Sequence, residues 1–147
     1  MKQEDKELLL QDLCRRFPYG VKISKVIDNF ISEPHQIRSI NSNNVIIEDG
    51  EFEDGTPDID VWDIENIKPY LFPLSSMTEE QKEEYGKYYD IDLANSAKNL
   101  YNRLDGKDTI NGYPMYNHID WCNKNHFDYR GLIPMGLATD ATGLNIY

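Results

Sequence analysis

The sequence predicts an α+β protein: an N-terminal helix, a small antiparallel sheet of about four strands, then two to three helices packed on that sheet. Three observations carry this. Apolar residues near the start recur at spacings of three and four, segments between residues 21 and 47 alternate apolar and polar side chains, and helical spacing returns after residue 78. With 147 residues and 39% hydrophobic content, the chain is long and apolar enough to bury its own core. Residues 1–147 are therefore expected to form a single α+β domain, with an acidic loop at 48–58 inside it.

The first helix is expected over residues 4–17, "EDKELLLQDLCRRF", with Leu9, Leu10, Leu13 and Phe17 on one face and Cys14 at its edge. Acids lead and Arg15–Arg16 closes, which suits the helix dipole, and Pro18 and Gly20 stop it. Strands are expected at Val21–Ile27, Gln36–Ile40 and Asn44–Ile47, with "NSNN" as a hairpin turn. "IDVWDI" suggests a fourth strand. "IKPYLFPLSSM" is expected to be extended, because Pro69 and Pro73 bar a helix. "TEEQ" at 78–81 is a capping box, with the Thr78 hydroxyl covering a free N–H and Gln81 reaching back. Further helices are expected from Asp92 to Leu104 and from Pro114 to about His126.

Charge is distributed unevenly. The net charge is −11, yet residues 48–92 alone sum to −12, residues 1–47 to +1, and residues 93–147 to zero. No Lys/Arg cluster exists to contact a phosphate backbone, so direct nucleic-acid binding and attraction to an anionic membrane are not expected. No apolar run approaches the roughly 20 residues of a transmembrane helix. The start of the chain lacks an export signal, and its two cysteines are far apart, so a reduced, cytoplasmic protein is expected.

The stretch "HIDWCNKNHFDYRGL" (118–132) is the densest in chemistry-bearing residues. On a helix, His118, Cys122 and His126 share a sector of about 80°, as a metal site would require. Met115 and Ile119 fall in or beside that sector, which makes it the inward stripe. The outer histidines are also roughly 12 Å apart along the axis. No metal site and no Cys–His catalytic pair is assigned, and Cys122 is expected to be a buried thiol with a raised pKa. Asp128, Arg130 and Gly131 suggest a helix-end cap with an ion pair. Alternatively, Phe127, Tyr129 and Arg130 form an exposed recognition turn, being residue types favoured in contact hot spots.

The acidic segment permits a calcium-loop count, with Asp54, Thr56, Asp58, Asp60 and Glu65 at positions 1, 3, 5, 7 and 12. Ile59 stands where a glycine is needed and Pro57 stiffens the loop, so a solvated acidic loop is the expectation. Phosphate-loop, dinucleotide, zinc-protease and C-x-x-C motifs are absent, and no cofactor is expected.

The segments "ELLLQDLCRRFPYGVK" (7–22), "KPYLFPLSSMTEEQ" (68–81) and "IDWCNKNHFDYRGLIPMGLA" (119–138) resemble a family of small proteins encoded by gut anaerobes and their prophages. In that family residues 28–60 and 86–112 vary, and the position of Cys122 is usually a leucine, which implies a packing role there. The resemblance implies a cytosolic α+β domain linked to mobile elements, and it implies no activity.

The expected function is therefore that of a non-enzymatic accessory protein that binds another protein. Its candidate surfaces are the acidic residues Asp54, Asp58 and Asp60 and the turn of Phe127, Tyr129 and Arg130. One alternative is an acidic nucleic-acid mimic aimed at a basic DNA-processing protein. Another is an enzyme whose first suspects are His118, Asp120, His126 and Asp128.

Overall fold

A computed structural model of the chain describes residues 1–28, 30–86, 109–110 and 113–147. Helix α1 (Gln3–Arg16) runs into a 3-10 turn at Phe17–Tyr19, closed by Gly20 at φ 70°. Its buried stripe is Leu9, Asp12, Leu13 and Arg16, while Phe17 is 39% exposed and Cys14 is exposed. This corrects the expected face in part: Leu10 packs half-buried against the core, but a charged pair, not Phe17, completes the inward side.

Strands β1 (Lys22–Ile27), β2 (Phe30–Ile31), β3 (His35–Ile40), β4 (Asn44–Glu51) and β5 (Pro57–Asp63) follow. After a 3-10 turn at Ile64–Asn66 comes β6 (Ile67–Leu71), and after a second at Leu74–Ser76 comes helix α2 (Glu79–Gly86). A short pair, β7 (Thr109–Ile110) and β8 (Tyr113–Pro114), precedes helix α3 (Met115–Lys124), and β9 (Thr139–Asp140) is last. The helix expected at 92–104 lies outside the described residues.

The sheet overturns the expected small antiparallel one. It has seven strands in the order β5-β4-β3-β1-β6-β9, with β2 added to β1, and it is mixed. Two causes account for this. First, "EDGEFEDGTPD", expected as an acidic loop or hairpin tip, is a tip only at its centre. β4 continues to Glu51 through a bulge between Glu48 and Gly50 (φ 138° at Gly50) and pairs with β5 from Asn44↔Asp63 to Glu51↔Pro57, so only Phe52–Thr56 form the tip. Second, β9 pairs parallel to β6 through Tyr70↔Thr139 and Leu71↔Asp140.

Other local expectations hold. Asn41 N–H bonds Asn44 C=O at 2.8 Å in the "NSNN" turn. At α2, Gln81 N–H donates to the Thr78 hydroxyl (3.2 Å) and Thr78 N–H to the Gln81 side chain (2.9 Å), completing the capping box.

Leu9 and Leu13 of α1 pack on Ile23, Ile37, Val45, Ile47, Trp62 and Leu71 of the sheet. A second cluster joins Tyr85 of α2 to Trp121 and Cys122 of α3 and to Phe127 and Tyr129 beyond it. Tyr85 and Trp121 lie 4.9 Å apart, and Trp121 stacks on Phe127 at 5.5 Å and 3°. Among the described residues, no helix is long and apolar enough to cross a membrane.

Candidate functional site

The 118–132 stretch is an internal joint. His118 (1% exposed), Cys122 (1%) and His126 (7%) all face inward. Burial pushes the Cys122 thiol up to about 12 and lowers both imidazoles to about 4. The helix ends in a Schellman motif. Phe127 N–H donates to Cys122 C=O (2.9 Å) and His126 N–H to Asn123 C=O (3.2 Å). His126, at φ 59°, takes the left-handed position usually held by glycine, so the cap falls at His126 and not at Gly131 as expected. Gly131 (φ 74°) serves the next turn, where the Asp128 carboxylate accepts Leu132 N–H and Ile133 N–H at 2.8 Å each.

Arg16 binds this joint from across the molecule. Its guanidinium donates to Asp12 Oδ2 (2.7 Å), to Phe127 C=O (2.8 Å) and to Cys122 C=O (3.4 Å), and it lies 5.3 Å from the Tyr129 ring centre. Arg16 and Asp12 are both fully buried. Burial alone would lower the Arg16 pKa, but the charge and hydrogen bond of Asp12 raise it above its ordinary value. A cation thus sits on the carbonyl end of α3, where the helix dipole favours it. Arg130 adds a second contact, with Nε 3.4 Å from Asp12 Oδ1 and the guanidinium 5.4 Å from the Tyr129 ring.

The expected recognition turn is corrected by burial. Phe127 is 1% exposed, Tyr129 is 3% exposed, and the Arg130 side chain is 11% exposed. Their hot-spot chemistry is spent inside, on stacking and on the two guanidinium groups. Asp12 and Arg16 were missed in the sequence. The signal for them was their i, i+4 spacing on the same stripe as Leu9 and Leu13.

The acidic candidates lie elsewhere. Asp54 closes the hairpin tip by accepting Thr56 N–H (2.9 Å) and the Thr56 hydroxyl (2.5 Å), which hold its pKa down. Asp58 and Asp60 sit in β5, two strand positions apart, with Asp60 exposed and Asp58 half-buried. The Trp62 indole N–H (2.5 Å) and Val61 N–H (2.9 Å) bond the Asp60 carboxylate, and Lys25 Nζ lies 3.6 Å from it; the indole bond is the largest cause of its lowered pKa. Phe72, just after β6, pairs with 126–128, whereas the hairpin lies at the far end of the strand order, beyond β1 and β3. They do not form one site.

The enzymatic suspects are not gathered either. His118, His126 and Asp128 are buried, and the Asp128 carboxylate is occupied by two backbone N–H groups. Asp120 lines a cleft of about 460 Å³ with Cys14, Arg15, Tyr19, Ile119 and Asn123 among others. There the Tyr19 hydroxyl donates to the Asp120 carboxylate. Among the described residues, no group of three or more His, Cys, Asp or Glu side chains is placed to hold a metal ion.

The β4–β5 hairpin exposes apolar side chains among its acids: Phe52 (56%), Ile59 (47%) and Val61 (53%), with Ile46 paired across from Val61. No protein-family model, no curated protein and no solved structure matches the chain.

Proposed function

We propose that this chain is a cytosolic, non-enzymatic accessory protein that works by binding a basic protein through the β4–β5 hairpin. The observation that carries this reading is the coincidence of exposed Phe52, Ile59 and Val61 with Glu48, Glu51, Glu53, Asp54, Asp58 and Asp60 on one hairpin. Apolar side chains supply contact area. Single-sign charge steers a partner of opposite sign and repels acidic ones. The nearby cations, Lys25 and Arg38, are each already beside a carboxylate, at 3.6 Å from Asp60 and 2.7 Å from Glu48. A basic DNA-processing protein is one partner of this charge class.

The test is affinity capture from the native host at low and at high salt, with the chain as bait and mass spectrometry as readout. Recovery of a basic protein that is lost as salt rises through a few hundred millimolar supports the reading. Recovery of only neutral or acidic proteins, insensitive to salt, would overturn it.

A further inference from the structure

We infer that the outer edge of β5 is a docking strand for an extended, basic segment of the partner, which adds to the sheet as a further strand. This rests on the proposed role of the β4–β5 hairpin and names the manner of binding.

β5 stands at the end of the strand order, and among the described residues its one strand neighbour is β4. The backbone groups of alternate residues point to opposite sides of a strand, and three observations fix which ones point outward. Ile64 N–H reaches Asn43 C=O (2.9 Å) on the β4 side, so the even-numbered positions face β4. Val61 N–H instead meets the Asp60 carboxylate, away from β4. Pro57, which has no N–H to give, occupies an odd position, where the ladder loses nothing. The amide and carbonyl groups of Ile59 and Val61 therefore face the open edge, and their side chains are about half exposed.

Charge selects the occupant. In a second copy of this chain paired antiparallel about Asp60, that residue would face itself among further carboxylates, and like charges directly opposite are destabilising. The same acids that keep the edge from pairing with itself favour a strand in which Lys or Arg alternates with an apolar residue. The apolar side chains of such a strand would lie along Ile59 and Val61, and its cations would meet Asp58, Asp60 and the tip acids. Asp60 holds the Val61 N–H until the incoming carbonyl replaces it.

The experiment uses the full chain and a seven-residue peptide of alternating Lys and Val, blocked at both ends. A second peptide of identical sequence, N-methylated at every residue, keeps the charge and side chains but has no N–H to donate to an edge on either side, and its methyl groups obstruct close approach. Calorimetry should show binding of the first peptide and at least tenfold weaker binding of the second. Isotope-labelled protein should show the Ile59 and Val61 amides shifting. Equal affinity for both peptides would overturn edge pairing while leaving an electrostatic hairpin intact. Failure of both peptides to bind, at low salt, would count against the hairpin reading as well. Ile59→Pro, which removes only an outward N–H, should reduce the first peptide's affinity to that of the second. An unchanged affinity in that variant would likewise overturn edge pairing.

Discussion

The Arg16 guanidinium donates a 2.8 Å hydrogen bond to the main-chain carbonyl of Phe127, 111 residues further along the chain. That bond, with its partners Asp12 and Cys122 C=O, ties the first helix to the end of α3 and joins the two apolar clusters. Loss of one member of a fully buried pair leaves an uncompensated charge, which costs about 3–5 kcal/mol. Arg16→Met should lower stability in urea unfolding by about that amount. Asp12→Asn should be nearly as severe, because it strands Arg16. Arg130→Ala should cost less, about 1 kcal/mol, since its contact with Asp12 is longer and its side chain keeps some exposure to water.

The two cysteines should behave oppositely toward a thiol reagent. Cys14 is exposed on α1, whereas Cys122 is buried with its pKa pushed up to about 12. Mass-mapped alkylation of native protein should modify Cys14 quickly and leave Cys122 untouched until the chain unfolds. Comparable rates at both sites would contradict the packing of α3.

Acid should weaken the fold before it titrates most carboxylates. Burial lowers His118 and His126 to about 4, against roughly 6.5 in an unfolded chain. Between those values the unfolded chain takes up protons that the folded chain refuses. Their stabilising contribution is thus complete above about pH 6.5 and is lost as pH falls toward 4. Asp128, whose pKa burial raises, acts with the opposite sign at the acid end and offsets part of the loss. The unfolding free energy from urea titrations should fall between pH 7 and pH 4.5 by an amount on the order of 5 kcal/mol less the Asp128 offset, and His126→Gln should flatten part of that slope.

Neutralising the hairpin should leave the fold intact. Asn at positions 54, 58 and 60 keeps an acceptor oxygen for Thr56, Val61 and the Trp62 indole while removing three charges. The melting temperature of Asp54→Asn/Asp58→Asn/Asp60→Asn should stay close to that of wild type, because less self-repulsion offsets weaker hydrogen bonds.

Local rules made much of the fold legible in the sequence. The capping box at Thr78, the "NSNN" turn, the first helix and three strands are each set by neighbouring residues. What escaped was set by distant ones. Asp, Glu and Gly disfavour strands by propensity, yet β4 and β5 carry them because one face and one edge of that hairpin meet water and Gly50 absorbs a bulge. β9 has two residues and depends on β6 for its existence. Asp12 and Arg16 read as solvated charges until α3 arrives to accept hydrogen bonds from the guanidinium. Within 118–132 the inward stripe was legible from spacing, but the fate of Phe127 and Tyr129 was not, since aromatic rings suit a contact surface and a core alike.

One comparison separates the two surfaces most directly: affinity capture with wild type, Arg130→Ala and the triple hairpin variant as baits, with thermal melting of each. Expected is that Arg130→Ala melts earlier yet retains the basic partner, while the triple variant melts near wild type and loses it. A triple variant that retains the partner, with Arg130→Ala losing it at unchanged stability, would contradict the hairpin as the functional surface.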